Sequence, residues 1–241
     1  MTERVKAHEL RIEEIEHSSS WIIVGQPGSG KSTLMEQLVY YNRHRFPAGK
    51  FFVGSETGYE RWCKIAGALF TYNEYDAGEE QRLVTRQRRG KLRGGTQHYA
   101  VNMLDDITAD SKILKTDLVR SLFKIGSRHW DYLLMLGSQY VIDFPTDIRT
   151  SASYVAIFRE PDEKNRKRLY ENFGGACGTY ADFNDYMDAL TGDYKCMIIK
   201  KRTQSNNRED CVFWFRTSPM KDWKFGAPEV QKWHKERYNT D

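Results

Sequence analysis

Gly25-Gln26-Pro27-Gly28-Ser29-Gly30-Lys31-Ser32 matches the pattern GxxxxGK[ST]. Residue types at this spacing make a phosphate cradle. Glycines let backbone N–H groups converge on phosphate oxygens without side-chain clash. The helix that follows adds the positive end of its dipole. Lys31 is expected to reach the β- and γ-phosphates, and Ser32 to ligate Mg²⁺. The predicted nucleotide-binding residues are Gly25, Gln26, Pro27, Gly28, Ser29, Gly30, Lys31, Ser32 and Thr33. ATP and Mg²⁺ are the expected bound groups.

A triphosphate site also needs a carboxylate for the metal shell and a group that orients the attacking water. Tyr99-Ala100-Val101-Asn102-Met103-Leu104-Asp105-Asp106 is an apolar run ending in two carboxylates. Asp105 is expected to hold Mg²⁺ together with Ser32. Asp106 is expected to act as general base or to position water. Glu56, just past the run Phe51–Val53, is the rival base. Leu133–Leu136 continues into Gly137-Ser138-Gln139, which puts Gln139 where a glutamine senses the γ-phosphate or orients water. Asn102, inside an apolar strand, requires a polar neighbour.

Basic residues fall in three groups: Arg82, Arg86, Arg88, Arg89, Lys91 and Arg93; Lys164, Arg166, Lys167 and Arg168; and Lys200, Lys201 and Arg202. Such patches suit phosphate backbones without reading bases. Arg149, between the Gln139 strand and the next one, is the first candidate for an arginine finger acting on a neighbouring subunit. Arg128 and Arg159 come after it.

These residues need elements to carry them. The phosphate loop sits between the apolar run Trp21–Val24 and an amphipathic segment, Lys31–Arg43, the strand–loop–helix context its chemistry requires. Further strand candidates are Lys50–Gly54, Tyr99–Leu104, Tyr132–Leu136, Tyr154–Phe158, Tyr194–Lys200 and Cys211–Phe215. Helix-length segments lie between them: Gly58–Arg93, Ser111–Ser127, Pro161–Asn172 and Tyr180–Leu190. A turn-rich link surrounds Pro145. Alternating strands and helices predict an α/β fold with a mainly parallel sheet. With the phosphate loop, the expected fold is that of a P-loop NTPase: a RecA-like sheet flanked by helices, with a C-terminal antiparallel strand pair at the edge. Residues 1–217 read as a single ATPase domain. Residues 218–241 read as an aromatic, charged tail.

Composition narrows the class. The chain has 241 residues, 37 Lys+Arg against 33 Asp+Glu, and 39% hydrophobic residues. No apolar run approaches the roughly 18–20 residues that span a bilayer, and the polar N-terminal segment lacks the core of a signal peptide. Cys63, Cys177, Cys196 and Cys211 are scattered, which argues against a zinc site or a disulfide framework.

The loop, the Asp-Asp strand end, the Gly-Ser-Gln strand end, Ile148-Arg149, the strand Tyr154–Phe158 and the closing Phe213-Trp214-Phe215 come in an order that resembles a family. They look like the genome-packaging ATPases of large double-stranded DNA viruses, the poxvirus type within the FtsK/HerA superfamily, over roughly Ser20 to Arg216. The resemblance implies an ATP-hydrolysing ring, pentameric or hexameric, that moves double-stranded DNA into a preformed capsid and meets a capsid or vertex protein. It implies Asp105 on the Mg²⁺ side, Asp106 as the catalytic acid and Gln139 as sensor. It places the protein at a cytoplasmic assembly site or in the virion. The basic stretch between Glu79 and Gly95 has no counterpart in that pattern. Two other readings are a small nucleotide kinase with an arginine-rich lid and a GTP-binding switch. The switch would need an [NT]KxD motif, which Leu114-Lys115-Thr116-Asp117 does not supply.

Overall fold

A computed structural model of the chain describes residues 5–95, 98–107, 112–139 and 144–238. The first residue of the expected helix at Ser111 and the last three of the tail lie outside them.

Nine strands form one sheet in the order β1-β9-β8-β7-β2-β6-β5-β3-β4. They are β1 (His8–Glu9), β2 (Ser20–Val24), β3 (Ala48–Val53), β4 (Thr71–Tyr72), β5 (Ala100–Asp105), β6 (Tyr132–Ser138), β7 (Tyr154–Ile157), β8 (Lys195–Lys200) and β9 (Val212–Arg216). From β7 through β4 neighbouring strands are parallel. β8 runs antiparallel to β7, and β9 antiparallel to β8, as expected for the C-terminal pair. The two-residue β1 lies outside β9. β1 and β4 are too short to leave an alternating pattern in the sequence.

Every residue of β2 is buried, because the sheet is covered on both faces. Its side chains alternate between two cores. Ile22 and Val24 join Leu134, Leu136, Leu104 and Val155 on one face. Trp21 and Ile23 join Met135, Met103 and Phe51 on the other.

Helices α1 (Lys31–Asn42) and α2 (Glu56–Ala66) cover the second core through Leu34, Leu38, Trp62 and Ile65. The first core lies under α3 (Ala77–Arg93), α4 (Asp117–Ser121), α6 (Thr146–Ser151), α7 (Glu163–Phe173) and α8 (Tyr180–Leu190). A π turn at Leu122–Gly126 joins α4 to the short α5 (Ser127–His129).

Two expected segments differ in detail. The stretch Gly58–Arg93 divides, because Gly67 leaves helical geometry at φ 92° and ends α2. Asp76 then caps α3 by accepting from the Gly78 and Glu79 N–H groups at 2.7 and 2.9 Å. The Pro145 link contains a true helix, α6, started by that proline.

The tail folds back on its own chain. Trp223 Nε1 donates to Glu36 on α1 at 2.8 Å, and Phe225 is buried edge-on against Phe51. α9 (Pro228–Arg237) follows. Among the described residues no helix is long and apolar enough to cross a membrane.

Candidate nucleotide site

Parallel register brings the candidate residues to one end of the sheet. Val53 aligns with Asp105, Asp105 with Gly137, and Gly137 with Ile23. The phosphate loop, the acidic pair and Gln139 therefore all leave the C-terminal ends of neighbouring strands, where open α/β sheets bind ligands.

The loop takes the shape its glycines permit. Gly28 and Gly30 have φ of 76° and 107°, values that residues with a Cβ rarely adopt. Gly30 stands directly before α1, so the helix opens at Lys31. Gln26 is tied down by a 3.1 Å bond from its Nε2 to Glu160, a buried acid just past β7.

Lys31 is only 5% exposed. Its Nζ lies 3.0 Å from Asp106 Oδ1 and 3.9 Å from Asp105 Oδ1. Ser32 Oγ donates to Asp105 Oδ2 at 2.9 Å. Gln139 Nε2 donates to Asp106 Oδ2, also at 2.9 Å. Lys31, Ser32, Asp105, Asp106 and Gln139 thus form one connected set.

Two close approaches hold it. A Cβ on Gly54 would sit 2.4 Å from the Asp106 carbonyl oxygen, and one on Gly137 2.3 Å from Asp105 Oδ1. Asp106 itself has a positive φ of 54°, a strained backbone of the kind that gathers at functional sites.

Burial pushes the Asp105 carboxyl up to about 6, and the adjacent Asp106 adds to this. Lys31 and the Ser32 hydroxyl pull it back down. Asp105 Oδ1 is buried without a hydrogen-bond partner. A hydroxyl beside a carboxylate with a spare oxygen is the hard-oxygen donor set Mg²⁺ takes. Ser32 and Asp105 therefore fit the metal predicted for them. Bound Mg²⁺ would neutralise charge between phosphate oxygens.

A cavity of about 370 Å³ opens over the loop, lined by Gln26, Gly30, Lys31 and Thr33 on one side and Tyr194, Thr217, Ser218 and Pro219 on the other. This second wall was not anticipated. Tyr194 is 65% exposed and has a φ of 56°. Tyr194, expected to open the strand Tyr194–Lys200, instead lies in the turn before β8.

The other candidates are not members of this connected set. Glu56 is exposed at the start of α2 and does not join the connected set. Arg149 belongs to α6, which enters β7 at the starting end of the strands: Ser20 Oγ donates to the Ser151 carbonyl at 3.3 Å. It is thus at the opposite end of the sheet from the phosphate loop of its own chain. Its Nη1 donates to Asn172 at 2.6 Å, and its Nε is buried without a partner. Arg128 lies at that same end, where its carbonyl accepts from Lys91. Arg159 is exposed just past β7.

The chain is 35% identical over 224 residues to the uncharacterized protein 075L of Invertebrate iridescent virus 6, covering 92% of this chain and 86% of that one. It is 33% identical to protein 088R of Invertebrate iridescent virus 3, covering 88% and 82%. The chain belongs to this viral protein family. No family model matches it.

Structural likeness extends further than sequence. The genome packaging NTPase B204 from Sulfolobus turreted icosahedral virus 2, solved in complex with AMPPCP, superposes with TM-score 0.58 at 15% identity, over 86% of this chain and 100% of that one. The pCW3 conjugation coupling protein TcpA, with ATPgS, gives 0.59 at 13% identity over 92% and 65%. The chain therefore has the fold of these nucleotide-binding proteins, a P-loop NTPase fold.

Proposed function

We propose that the chain is an ATP-hydrolysing double-stranded DNA translocase that packages a viral genome into a preformed capsid as an oligomeric ring. The observation that carries this reading is the connected set Lys31–Asp106–Gln139 beside Ser32–Asp105 at the strand ends. A carboxylate between a phosphate-seeking lysine and a water-orienting amide is the arrangement that hydrolysis needs. A nucleotide kinase needs no such amide, and the arginines that suggested a lid sit on α3, whose last turns lie beside His98 at the start of β5. The virus-borne relatives, and the fold shared with a protein described as a genome packaging NTPase, support DNA packaging, with the poxvirus-type motors as the finer placement.

In this reading the loop backbone and Lys31 hold the triphosphate. Ser32 and Asp105 hold Mg²⁺. Asp106 takes the proton of the attacking water, which Gln139 orients. Tyr194 offers its ring to the nucleobase. Head-to-tail contacts in a ring let Arg149 act in the next subunit's site. The protein works at a cytoplasmic assembly site or in the virion, against a capsid or vertex protein.

The test is ATP turnover with and without long double-stranded DNA, in the wild type and in Lys31→Ala. Hydrolysis stimulated by DNA and abolished by the substitution is expected. Phosphate passed to a nucleoside monophosphate, indifferent to DNA, would overturn it.

A further inference from the structure

The three basic groups end in different circumstances. On α7, Arg166 is ion-paired with Asp188 at 2.6 Å, and Glu163 and Glu171 flank the group of cations at either end. In the third group, Lys201 and Arg202 donate to the backbone carbonyls of Arg149 and Ser151. Those two cations satisfy the protein itself.

α3 is different. Arg82, Arg86, Arg89 and Arg93 recur at helical spacing, so they share one stripe. Leu83, Val84 and Gln87 on the opposite side are buried. The four arginines line one open groove of about 760 Å³, with His98 at its end. Arg82 is ion-paired with Glu79, and Arg86 reaches the His98 carbonyl. Among the described residues, Arg89 and Arg93 have no acidic partner within ion-pairing distance. The sequence holds no acid from Gln81 through Leu104 that could neutralise the stripe. Nearby, Lys91 is paired with Asp131 and Arg88 lies over the Trp130 ring, so neither competes for the groove.

We infer that this face of α3 is the contact for the phosphate backbone of double-stranded DNA, an assignment that rests on the translocase reading. Eleven residues at a rise of about 1.5 Å put the four guanidinium groups along roughly 16 Å, facing a strand that carries one phosphate per 3.4 Å or so. Planar forks suit such phosphates and read no sequence, as a packaging motor requires. α3 is also bolted to the catalytic strand. Asn102 Nδ2 on β5 donates to Glu80 Oε1 at 2.7 Å, three residues before Asp105. Force on the arginine stripe therefore bears on the strand that carries the acids.

The experiment measures binding of the full chain, with AMPPCP present, to a labelled double-stranded DNA fragment across a salt series. Wild type is compared with the double variant Arg89→Gln/Arg93→Gln and with Lys164→Gln/Lys167→Gln on α7. Thermal unfolding checks the fold of each. The α3 variant is expected to bind about tenfold or more weakly, with a slope of log K against log salt shallower by about 2. The α7 variant is expected to bind as wild type. If the α3 variant keeps wild-type affinity and slope, or if α7 carries the loss instead, the assignment falls while the translocase reading stands. A wild-type chain without affinity for duplex, but with affinity for single strands or acidic protein, overturns both.

Discussion

Gln139 donates a 2.9 Å hydrogen bond to Asp106 from the end of the neighbouring strand. The other Asp106 oxygen faces Lys31. The carboxylate is thus oriented by one group that answers to phosphate and one that can answer to water. In the proposed function, a bound phosphate would compete for Lys31 and leave Asp106 held by Gln139.

Gln139→Ala is therefore expected to lower the hydrolysis rate about 100-fold, a typical cost for losing one positioned catalytic donor. Nucleotide affinity should change little. Single-turnover hydrolysis alongside equilibrium binding checks this; a variant weak in binding but normal in turnover would move Gln139 out of the chemistry.

Gly54→Ala tests the packing behind the acidic pair. The added methyl would lie 2.4 Å from the Asp106 carbonyl oxygen, a backbone atom that can yield only by moving Asp106. Turnover should fall by about tenfold or more, since small misplacements of a catalytic group are costly. The melting temperature should drop by several degrees. Wild-type values for both would mean that the two strand ends separate freely.

Tyr194→Ala should raise the KM for ATP about tenfold with little change in kcat, because stacking on a base contributes about 1–3 kcal/mol. Tyr194→Phe should behave as wild type. An unchanged KM in the alanine variant would place the base elsewhere.

Glu80 sets a pH dependence. Burial raises its carboxyl to about 7, while Asn102 and Lys50 oppose the rise. Its Oε2 is buried without a partner, as is Asn102 Oδ1. A raised carboxyl favours the folded state at low pH. That contribution is complete below the unfolded value near 4.5 and is lost as pH climbs through 7. Glu80→Gln should remove up to about 3 kcal/mol of this slope, so the variant gains on wild type at pH 8. Denaturant midpoints from pH 4.5 to 8 measure it; parallel curves would refute it.

Arg149→Ala, folded and able to bind nucleotide, is expected to hydrolyse ATP at a small fraction of the wild-type rate. Mixing it with Lys31→Ala should restore part of the activity, because each variant supplies what the other lacks. Full activity in Arg149→Ala alone would assign the arginine to packing against Asn172.

The sequence was most legible where chemistry and register coincide. Seven strands announce themselves through apolar runs, the central ones covered on both faces, and the phosphate loop through its glycines and lysine. Asp105, Asp106 and Gln139 could be placed because each closes such a run. Asn102 signalled its polar partner, but not that the partner is Glu80 on a helix. The wall made by Tyr194 and Thr217–Pro219 was hidden, since the turn before β8 and the stretch after β9 meet the loop only through the antiparallel pair. Short β1 and β4 lack the length to show a period. The tail's aromatic residues gave no sign of whether they would dock on their own chain, because Trp223 and Phe225 are too few to form a face.

The central strand β2 carries a further consequence. Ser20 at its start bonds Ser153, a residue 133 positions away, and its other neighbour is β6. Trp21–Val24 thus has no strand partner close in the chain. While the protein is being synthesised, that apolar stretch waits exposed until β6 and then β7 have emerged. Long-range pairing of this kind is slow and prone to aggregation. The motif most easily recognised by eye therefore waits for strands far along the sequence before it acquires its shape, and nucleotide cannot stabilise the chain before β6 and β7 are in place.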